Sequence, residues 1–544
     1  MRAAELFVRC LENEGVEYIF GIPGEENLDL MDALIDSPIQ FVTVRHEQGA
    51  AFMADVYGRL TGRAGVCLGT LGPGATNLIT GVADANLDRA PVVAIAGQGS
   101  THRLHKESHQ IVDLVSLFAP VSKYATSVRE PEVIPEVVRK AFKEATMEKP
   151  GASFIELPEN IAAAEVAEMA PLRVQNPRTP WPPEDRLAEA AALIAQAERP
   201  MVLAGNGVIR AQAAAALDSF AATLNIPVAK TFMAKGVIPR DHPLSLGTAG
   251  LSGNDLIACG FARADLVICI GYDMVEYHPE RWHRDPEQPV IHIGQQPAEV
   301  DAHYPVEVGV VGDLNAALHG LLRRLTARPE HWASGLNQAI QQENREYAED
   351  DGFPLKPQKI LWDLRQVLAP EDILISDVGA HKMWIARMWQ AQAPNSCLIS
   401  NGFAAMGIGV PGALAAKLVH PDRRVLTITG DAGFLMNSQE LETALRLELA
   451  FVVLIWSDSA YGLIKWHQDR RFGRETQIRF NNPDFVQYAE SFGARGYRVE
   501  SAEQLIPVLD EALHCGTVAV VDCPVDYSQN MQLTERLAAL QCPV

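Results

Sequence analysis

Apolar residues along this chain occur in short uninterrupted runs that alternate with longer segments of helical spacing. Runs rich in β-branched residues, such as 425–429 and 451–456, predict buried strands, and residues 438–447 between them have the spacing of an amphipathic helix. This alternation predicts α/β architecture with parallel sheets. Further strand-like runs lie at residues 18–20, 41–44, 92–96 and 265–270, and the segments 200–209 and 373–381 begin with runs of the same kind.

Two proline-rich stretches, residues 175–183 and 349–358, interrupt this pattern and divide the chain into three parts of similar size. A chain of 544 residues is also too long for a single hydrophobic core. We therefore expect three domains over residues 1–180, 184–345 and 355–544, each a doubly wound parallel sheet with flanking helices.

The formal net charge of −22 argues against nucleic acids and anionic membranes as partners. No apolar run approaches the length of a membrane span, and the first residues have the pattern of a helix and strand rather than of a signal peptide. The eight cysteines form no CxxC pair, and Cys67, Cys259 and Cys269 lie in apolar runs. This usage predicts reduced, buried thiols in a cytoplasmic protein.

Two acidic residues, Asp431 and Asp458, directly follow predicted strands. In an open α/β sheet, ligands bind at the edge where the carboxyl ends of the strands lie. Two carboxylates beside small residues and a helix start suit a Mg²⁺ ion that bridges a diphosphate. The alternative is two ordinary strand-to-helix turns, in which Asp and Gly are common. The residues alone leave both interpretations open.

The motif Gly430-Asp431-Ala432-Gly433, followed by Asp458-Ser459, resembles the diphosphate-and-metal motif of thiamine diphosphate (ThDP) enzymes. The surrounding text GDAGFLMNSQELETALRLE resembles the ThDP-dependent acetolactate synthase family, closest to its catabolic type, and the resemblance covers essentially the whole chain. Ala432 replaces the usual second glycine, and Asp458-Ser459 replaces Asn-Asn. Asp is as good an oxygen ligand as Asn, so we expect metal binding to be retained.

The resemblance implies roles for individual residues. Glu47 would hydrogen-bond N1′ of the cofactor's aminopyrimidine, although a glutamate at a helix start also complements the helix dipole. Glu47 and Gln110 are the expected catalytic residues, and Mg²⁺ would be held by Asp431, Asp458 and the Ala460 carbonyl. The substrate pocket would include His109, Trp466 and His467. The expected cofactor-binding residues are Pro23, Gly24, Gly72, Asn77, Gly379, Ala380, His381, Ala404, Met406, Gly430, Asp431, Ala432, Gly433, Asp458, Ala460 and Tyr461.

The middle third of the chain leaves one cofactor open. In biosynthetic acetolactate synthases this domain holds a non-redox FAD, and in catabolic ones it holds none. The segment Pro243–Gly247 resembles the FAD-binding branch, whereas the text around Tyr272 resembles the FAD-free branch. The turn Gly205-Asn206-Gly207 is too short for a dinucleotide fingerprint.

The resemblance implies decarboxylation of pyruvate and transfer of the hydroxyethyl unit to a second 2-oxo acid, giving 2-acetolactate. It also implies a homodimer or homotetramer with active sites between protomers, and we expect no regulatory subunit. The alternatives are a 2-oxo acid decarboxylase, a carboligase that uses aldehyde or ketone acceptors, and an inactive homologue that only binds the cofactor. Retention of Glu47, Asp431 and Asp458 favours an enzyme.

Overall fold

A computed structural model of the protein describes residues 1–175, 178–250 and 255–531. These residues form three six-stranded sheets, and every strand pair within the sheets is parallel. The expected α/β fold with three parallel sheets is confirmed. Two residues of the first proline-rich stretch, Asn176 and Pro177, lie outside the described residues.

The first sheet lies in the N-terminal part of the chain. Its strands are β1 (Tyr18–Gly21), β2 (Gln40–Thr43), β3 (Gly65–Gly69), β4 (Val92–Gln98), β5 (Tyr124–Ser127) and β6 (Ala152–Pro158). Its helices are α1 (Ala3–Asn13), α2 (Leu28–Ala33), α3 (Glu47–Thr61), α4 (Pro73–Leu87), α5 (Leu114–Phe118), α6 (Ile134–Thr146) and α7 (Glu159–Ala162). The strand order is β2-β1-β3-β4-β6-β5.

The second sheet lies in the middle of the chain. Its strands are β7 (Pro200–Ala204), β8 (Val228–Lys230), β9 (Ser245–Thr248), β10 (Leu266–Ile270), β11 (Val290–Gly294) and β12 (Val306–Val311). Its helices are α8 (Glu184–Gln196), α9 (Gly207–Arg210), α10 (Ala214–Leu224), α11 (Leu256–Arg263), α12 (Leu314–Leu322) and α13 (Ser334–Arg345). The strand order is β12-β11-β10-β7-β8-β9.

The third sheet repeats the strand order of the first, as β14-β13-β15-β16-β18-β17. These strands are β13 (Ile373–Ser376), β14 (Cys397–Ile399), β15 (Val425–Gly430), β16 (Val452–Ser457), β17 (Arg495–Arg498) and β18 (Ala519–Pro524). The helices are α14 (Pro357–Val367), α15 (Ala380–Met388), α16 (Gly409–Val419), α17 (Asp431–Asn437), α18 (Glu440–Arg446), α19 (Gly462–Phe472), α20 (Phe485–Phe492) and α21 (Leu505–His514).

The predicted strands 425–429 and 451–456 are present as β15 and β16, and their central residues are fully buried. Such continuous burial arises because helices cover both faces of a parallel sheet. Two short helices follow β15: α17, and then α18, which corresponds to the helix expected over 438–447. The first begins directly at Asp431, where the carboxylate accepts a hydrogen bond from the Ala432 N–H at 2.9 Å.

The first and third sheets share one hydrophobic core, although the second sheet separates them in sequence. Helix α3 packs on α4 and also on α16 of the third sheet. Their common core joins Phe20 and Phe52 to Ala413 and Ile455. The second sheet has separate apolar clusters. The first and third domains of the chain therefore pack against each other.

No helix among the described residues is long and apolar enough to cross a membrane. Six cysteines in the described ranges are free thiols, and five of these are buried, as the sequence predicts. Cys259, however, is disulfide-bonded, so the expectation of reduced thiols throughout is wrong at that residue. Cys542 lies outside the described residues.

Candidate active site

Each sheet has one point where two neighbouring strands send their connections in opposite directions. These points lie between β1 and β3, between β7 and β10, and between β13 and β15. Ligands of open α/β sheets bind in the crevice at the carboxyl ends of such strands. In the third sheet the two adjoining turns contact each other, since a Cβ on Gly430 would lie 3.5 Å from His381 Cε1. In the first sheet, Gly24 lies directly against Thr70.

An acid pair, Asp431 and Asp458, lies at the switch point of the third sheet. Asp431 Oδ2 accepts hydrogen bonds from the backbone N–H groups of Asp458 at 3.1 Å and Ser459 at 2.7 Å, and from Asn482 Nδ2 at 2.7 Å. Burial, with the neighbouring Asp431 charge, raises the pKa of Asp458 to about 7. A dication between the carboxylates would remove this repulsion, so the donors fit Mg²⁺.

One more oxygen is available beside the acid pair. Asn482 Oδ1 is buried and has no hydrogen-bond partner. No group of three His, Cys, Asp or Glu residues that could hold a metal occurs in the described part of the chain. The cluster here contains only two such residues, and any further protein ligands would be neutral oxygens. Of these, Ala460 is buried beside the pair, and Tyr461 is exposed with its ring against Phe480.

His381 lies across the crevice from the acid pair, in the first turn of α15. Burial lowers the pKa of this imidazole to about 3, while its bond to the Asp377 backbone opposes the decrease. Its Nε2 is buried and has no partner. A diphosphate in the crevice would bring negative charge and favour the protonated ring. Gly379 and Ala380 precede it at the start of the same helix.

The segment 400–407 connects β14 to α16 and carries Ala404 and Met406. Ala404 has φ +58°, in the left-handed region that residues other than glycine adopt at a cost. Asp377 fixes the end of the segment by accepting hydrogen bonds from the N–H groups of Gly407 at 2.9 Å and Gly409 at 3.0 Å. The backbone here is therefore held by side chains outside the segment.

Glu47 is buried at the first residue of α3 and has only 7% of its surface exposed. Its Oε2 accepts a hydrogen bond from Asn77 Nδ2 at 2.9 Å, which fixes the carboxyl group. Its Oε1 would lie 3.2 Å from a Cβ on Gly74. Because Gly74 has no side chain, no Cβ covers this oxygen, and a ring nitrogen could bind to it.

Gln110 contacts the same turn from the other side. A Cβ on Gly72 would lie 2.8 Å from the Gln110 carbonyl oxygen, and both residues have positive φ angles. The side chains of His109 and Gln110 are exposed. The described residues thus form two groups, one around Glu47 and one around Asp431, and no hydrogen bond or ion pair recorded among them joins these two side chains.

Comparison with known proteins agrees with this arrangement. The chain matches the models for the thiamine pyrophosphate enzyme N-terminal TPP binding domain over residues 1–117, central domain over 187–321 and C-terminal TPP binding domain over 377–523. It is 36% identical to the acetolactate synthase of Bacillus subtilis (strain 168), over 98% of this chain and 94% of the relative. The chain belongs to the ThDP-dependent acetolactate synthase family.

Two further members of the acetolactate synthase family have the same identity. The catabolic acetolactate synthase of Raoultella terrigena is 36% identical over 98% of this chain and 97% of its own length. A probable acetolactate synthase large subunit of Methanocaldococcus jannaschii is 36% identical over 98% and 93%. These matches extend through all three sheets, and the switch points of the first and third sheets lie in the two segments that match TPP binding domains.

The remaining acetolactate synthase motif residues lie at different depths. Trp466 is buried in the core of the third sheet, whereas its neighbour His467 is exposed on the same helix. Pro23 is exposed and Gly24 half-buried, and the Gly24 N–H donates to Asn27 Oδ1 at 2.8 Å. Their roles in binding substrate or cofactor stay predictions.

The sequence alone misses two residues of the site. Asn482 contacts Asp431 from 51 positions away, and Asp377 holds the 407–409 backbone from 30 positions away. The only local signal at Asn482 is Asn481-Asn482-Pro483, which is typical of any turn. Neither contact is marked by a periodic pattern in the sequence, because each depends on how separate strands align in the sheet.

Proposed function

We propose that this protein is an acetolactate synthase that uses ThDP and Mg²⁺. One pyruvate loses CO₂, and its two remaining carbons join the keto carbon of a second 2-oxo acid, so that two pyruvates give 2-acetolactate and CO₂. The observation that carries the proposal is Glu47, held by Asn77 through one oxygen while the other faces the space beside Gly74. An inactive homologue would have no need of a fixed, buried carboxyl group there.

When bound, ThDP supplies a nucleophilic carbon that adds to the keto group and accepts the electron pair left by CO₂. The chain's residues orient the reacting groups. Glu47 would hold a proton at N1′ of the aminopyrimidine, and the Ala404 carbonyl would accept from its 4′-amino group. Met406 would pack against the ring and keep that amino group near the reacting carbon. Gln110 and His109 would contact the acceptor substrate.

Mg²⁺ would be held by Asp431, Asp458 and the Ala460 carbonyl, with Asn482 Oδ1 as an additional oxygen. The pKa of Asp458 supports this proposal, because burial and repulsion from Asp431 raise it to about 7. A cation bound between the two carboxylates would offset that repulsion. Asp431→Ala should abolish Mg²⁺-dependent ThDP binding and leave the fold intact. Quenching of tryptophan fluorescence reports the affinity, and an unchanged affinity would contradict the metal assignment.

The turn after β7 does not fit the diphosphate of FAD. The Glu276 carboxylate accepts hydrogen bonds from the N–H groups of Asn206 at 3.0 Å and Asp273 at 3.2 Å, and from the Thr231 hydroxyl. This internal anion occupies the position at which a nucleotide phosphate would bind. We therefore propose that no flavin binds at this turn. Equilibration with FAD followed by gel filtration should give protein without flavin absorbance, and a stoichiometric flavin would contradict us.

A homodimer or homotetramer with active sites between protomers is the proposed assembly. Large apolar side chains are exposed in the segment 400–407, at the end of α17 and directly before α19, which is unusual for a surface without a partner. Phe403, Leu435, Met436 and Tyr461 are 38–46% exposed. A second copy of the chain would cover them. The absence of a regulatory subunit, the cytoplasmic location and the domain limits stay predictions.

One product analysis separates the candidate functions. Purified protein with ThDP, Mg²⁺ and pyruvate should release CO₂ and 2-acetolactate, both resolved by NMR with ¹³C-labelled pyruvate. Acetaldehyde as the only organic product would identify a decarboxylase. Ligation that requires an added aldehyde or ketone would identify the other carboligase, and no turnover despite ThDP binding would identify an inactive homologue.

A further inference from the structure

A buried charged cluster of the first domain lies against the segment 400–407. It consists of Asp55 and Arg59 on α3, Asp84 on α4 and Asp88 directly after α4, and all three carboxylates are fully buried. Arg59 donates from Nε to Asp55 Oδ1 at 2.5 Å, and from Nη2 to Asp88 at 2.7 Å and Asp84 at 3.3 Å. One guanidinium thus holds three acids from two helices.

This cluster contacts the segment along most of its length. Asp88 accepts hydrogen bonds from the backbone N–H groups of Asn401 at 2.9 Å and of Gly402. Asp84 Oδ1 accepts from the Ser400 hydroxyl at 2.7 Å and the Ala405 N–H at 3.2 Å. Arg59 Nη1 also donates to the Ile399 carbonyl, directly before the segment, at 3.0 Å.

These contacts lie on both sides of Ala404. A residue other than glycine in the left-handed region costs of order 1–3 kcal/mol and persists only where its surroundings fix it. Hydrogen bonds at Asn401, Gly402 and Ala405 fix the backbone around it, and Asp377 holds the distal end at Gly407. The first domain therefore determines the path of a segment that belongs to the third sheet.

We propose that Asp84 and Asp88, fixed by Arg59, are positioning residues that set the Ala404 carbonyl and the Met406 side chain for the cofactor. They do not contact substrate or cofactor themselves. This inference rests on the proposed function for the place of ThDP beside this segment. The contacts that position the backbone do not depend on that function.

The hydrogen bonds that each acid accepts separate the two acids experimentally. Burial, with the charges of Asp88 and Asp55, raises the pKa of Asp84 well above its usual range. Asp84→Asn would keep Oδ1 as the acceptor for the Ser400 hydroxyl and the Ala405 N–H. Both oxygens of Asp88 accept hydrogen bonds, from the N–H groups of Asn401 and Gly402 and from Arg59. Asp88→Asn would therefore place its NH₂ group against one of these N–H donors.

The experiment compares wild type, Asp84→Asn and Asp88→Asn with a matched control, Asp372→Asn. Asp372 is also buried and accepts from backbone N–H groups, at 2.6 Å from Ala369 and 3.1 Å from Arg424, but it precedes β13 at the opposite end of the sheet. The readout is the C2-proton exchange rate of saturating bound ThDP. We expect ~10²-fold slower exchange in Asp88→Asn, the scale of a misplaced reacting group. Asp84→Asn keeps the Oδ1 acceptor and loses only the 3.3 Å contact from Arg59, so its exchange should slow less than that of Asp88→Asn. Asp372→Asn should exchange like wild type.

A second readout is independent of the cofactor. Backbone hydrogen–deuterium exchange at Asn401, Gly402 and Ala405 should be faster in Asp88→Asn without ThDP. Wild-type C2-exchange in Asp88→Asn, with unchanged amide protection, would overturn the positioning role. If Asp88→Asn does not fold, Ser400→Ala removes one contact to Asp84, and wild-type rates in both readouts would overturn the inference. If ThDP bound to the wild-type protein does not exchange its C2 proton, the proposed function is wrong. Hydrogen–deuterium exchange of the backbone amides would still test the positioning role in that case.

Discussion

Glu47 is the residue on which the proposed chemistry depends most directly. Glu47→Gln keeps the size of the side chain and its contact with Asn77, but it removes the acid at N1′. C2-proton exchange of bound ThDP should slow by ~10²–10⁴-fold, the usual value of a positioned proton transfer. ThDP affinity should change little. If NMR in D₂O shows the wild-type exchange rate for the variant, Glu47 only complements the dipole of α3 and has no part in forming the reactive carbon.

Glu276 should make stability depend on pH. Burial raises its pKa to about 7, so between about pH 4.5 and 7 the folded chain binds more protons than the unfolded chain. Its contribution therefore falls as pH rises through this range, by at most ~1.4 kcal/mol per pH unit. Glu276→Gln removes the titration. The melting temperature of the variant relative to wild type should rise from pH 5 to pH 7.5, and a constant difference would contradict this assignment.

At the scale of elements, α18 of the third sheet fixes the start of α3. Glu440 is fully buried, and its Oε1 accepts hydrogen bonds from the N–H groups of Arg45 at 3.0 Å and His46 at 3.1 Å. A Cβ on Gly49 would lie 2.8 Å from the same oxygen. The first turn of α3, which carries Glu47, therefore lies directly against α18.

Gly49→Ala should displace either Glu440 or the start of α3. We expect a loss of ~1–3 kcal/mol in stability, typical of overpacking, together with a lower kcat because Glu47 moves. Gly309→Ala is the matched control, since nothing lies within 4 Å of a Cβ at that position. Thermal unfolding and pyruvate turnover measure both effects. Equal melting temperatures and equal turnover for the two variants would show that Gly49 and Glu440 are not in tight contact in solution.

The sequence predicts the strands and the Asp431 and Asp458 turns because these features are local. A buried run such as 425–429 has its own periodicity, and the turn after it follows directly in the chain. Glu440, Asn482 and Glu276 were not predicted, because each acts on a backbone N–H or carboxylate far away in sequence. Their polar side chains have many alternative uses, and only the packing of separate elements selects one.

At the scale of the whole molecule, exposed apolar residues near the site predict self-association. Leu435→Asp should lower the mass measured by sedimentation and reduce ThDP-dependent turnover, because a charge would be buried in the interface. Val300→Asp is the control, as Val300 is 94% exposed. An unchanged mass for Leu435→Asp, at concentrations where wild type is oligomeric, would exclude this surface from the interface.

The core shared by the first and third sheets affects how the chain is made on the ribosome. Apolar side chains of α3, such as Phe52, have no partners on α16, such as Ala413, until some 350 further residues have been added. At ~5–20 residues per second, this delay lasts some tens of seconds. During synthesis the nascent N-terminal domain would expose the apolar face of α3 to solvent. We therefore expect chaperones that bind nascent chains to bind this domain.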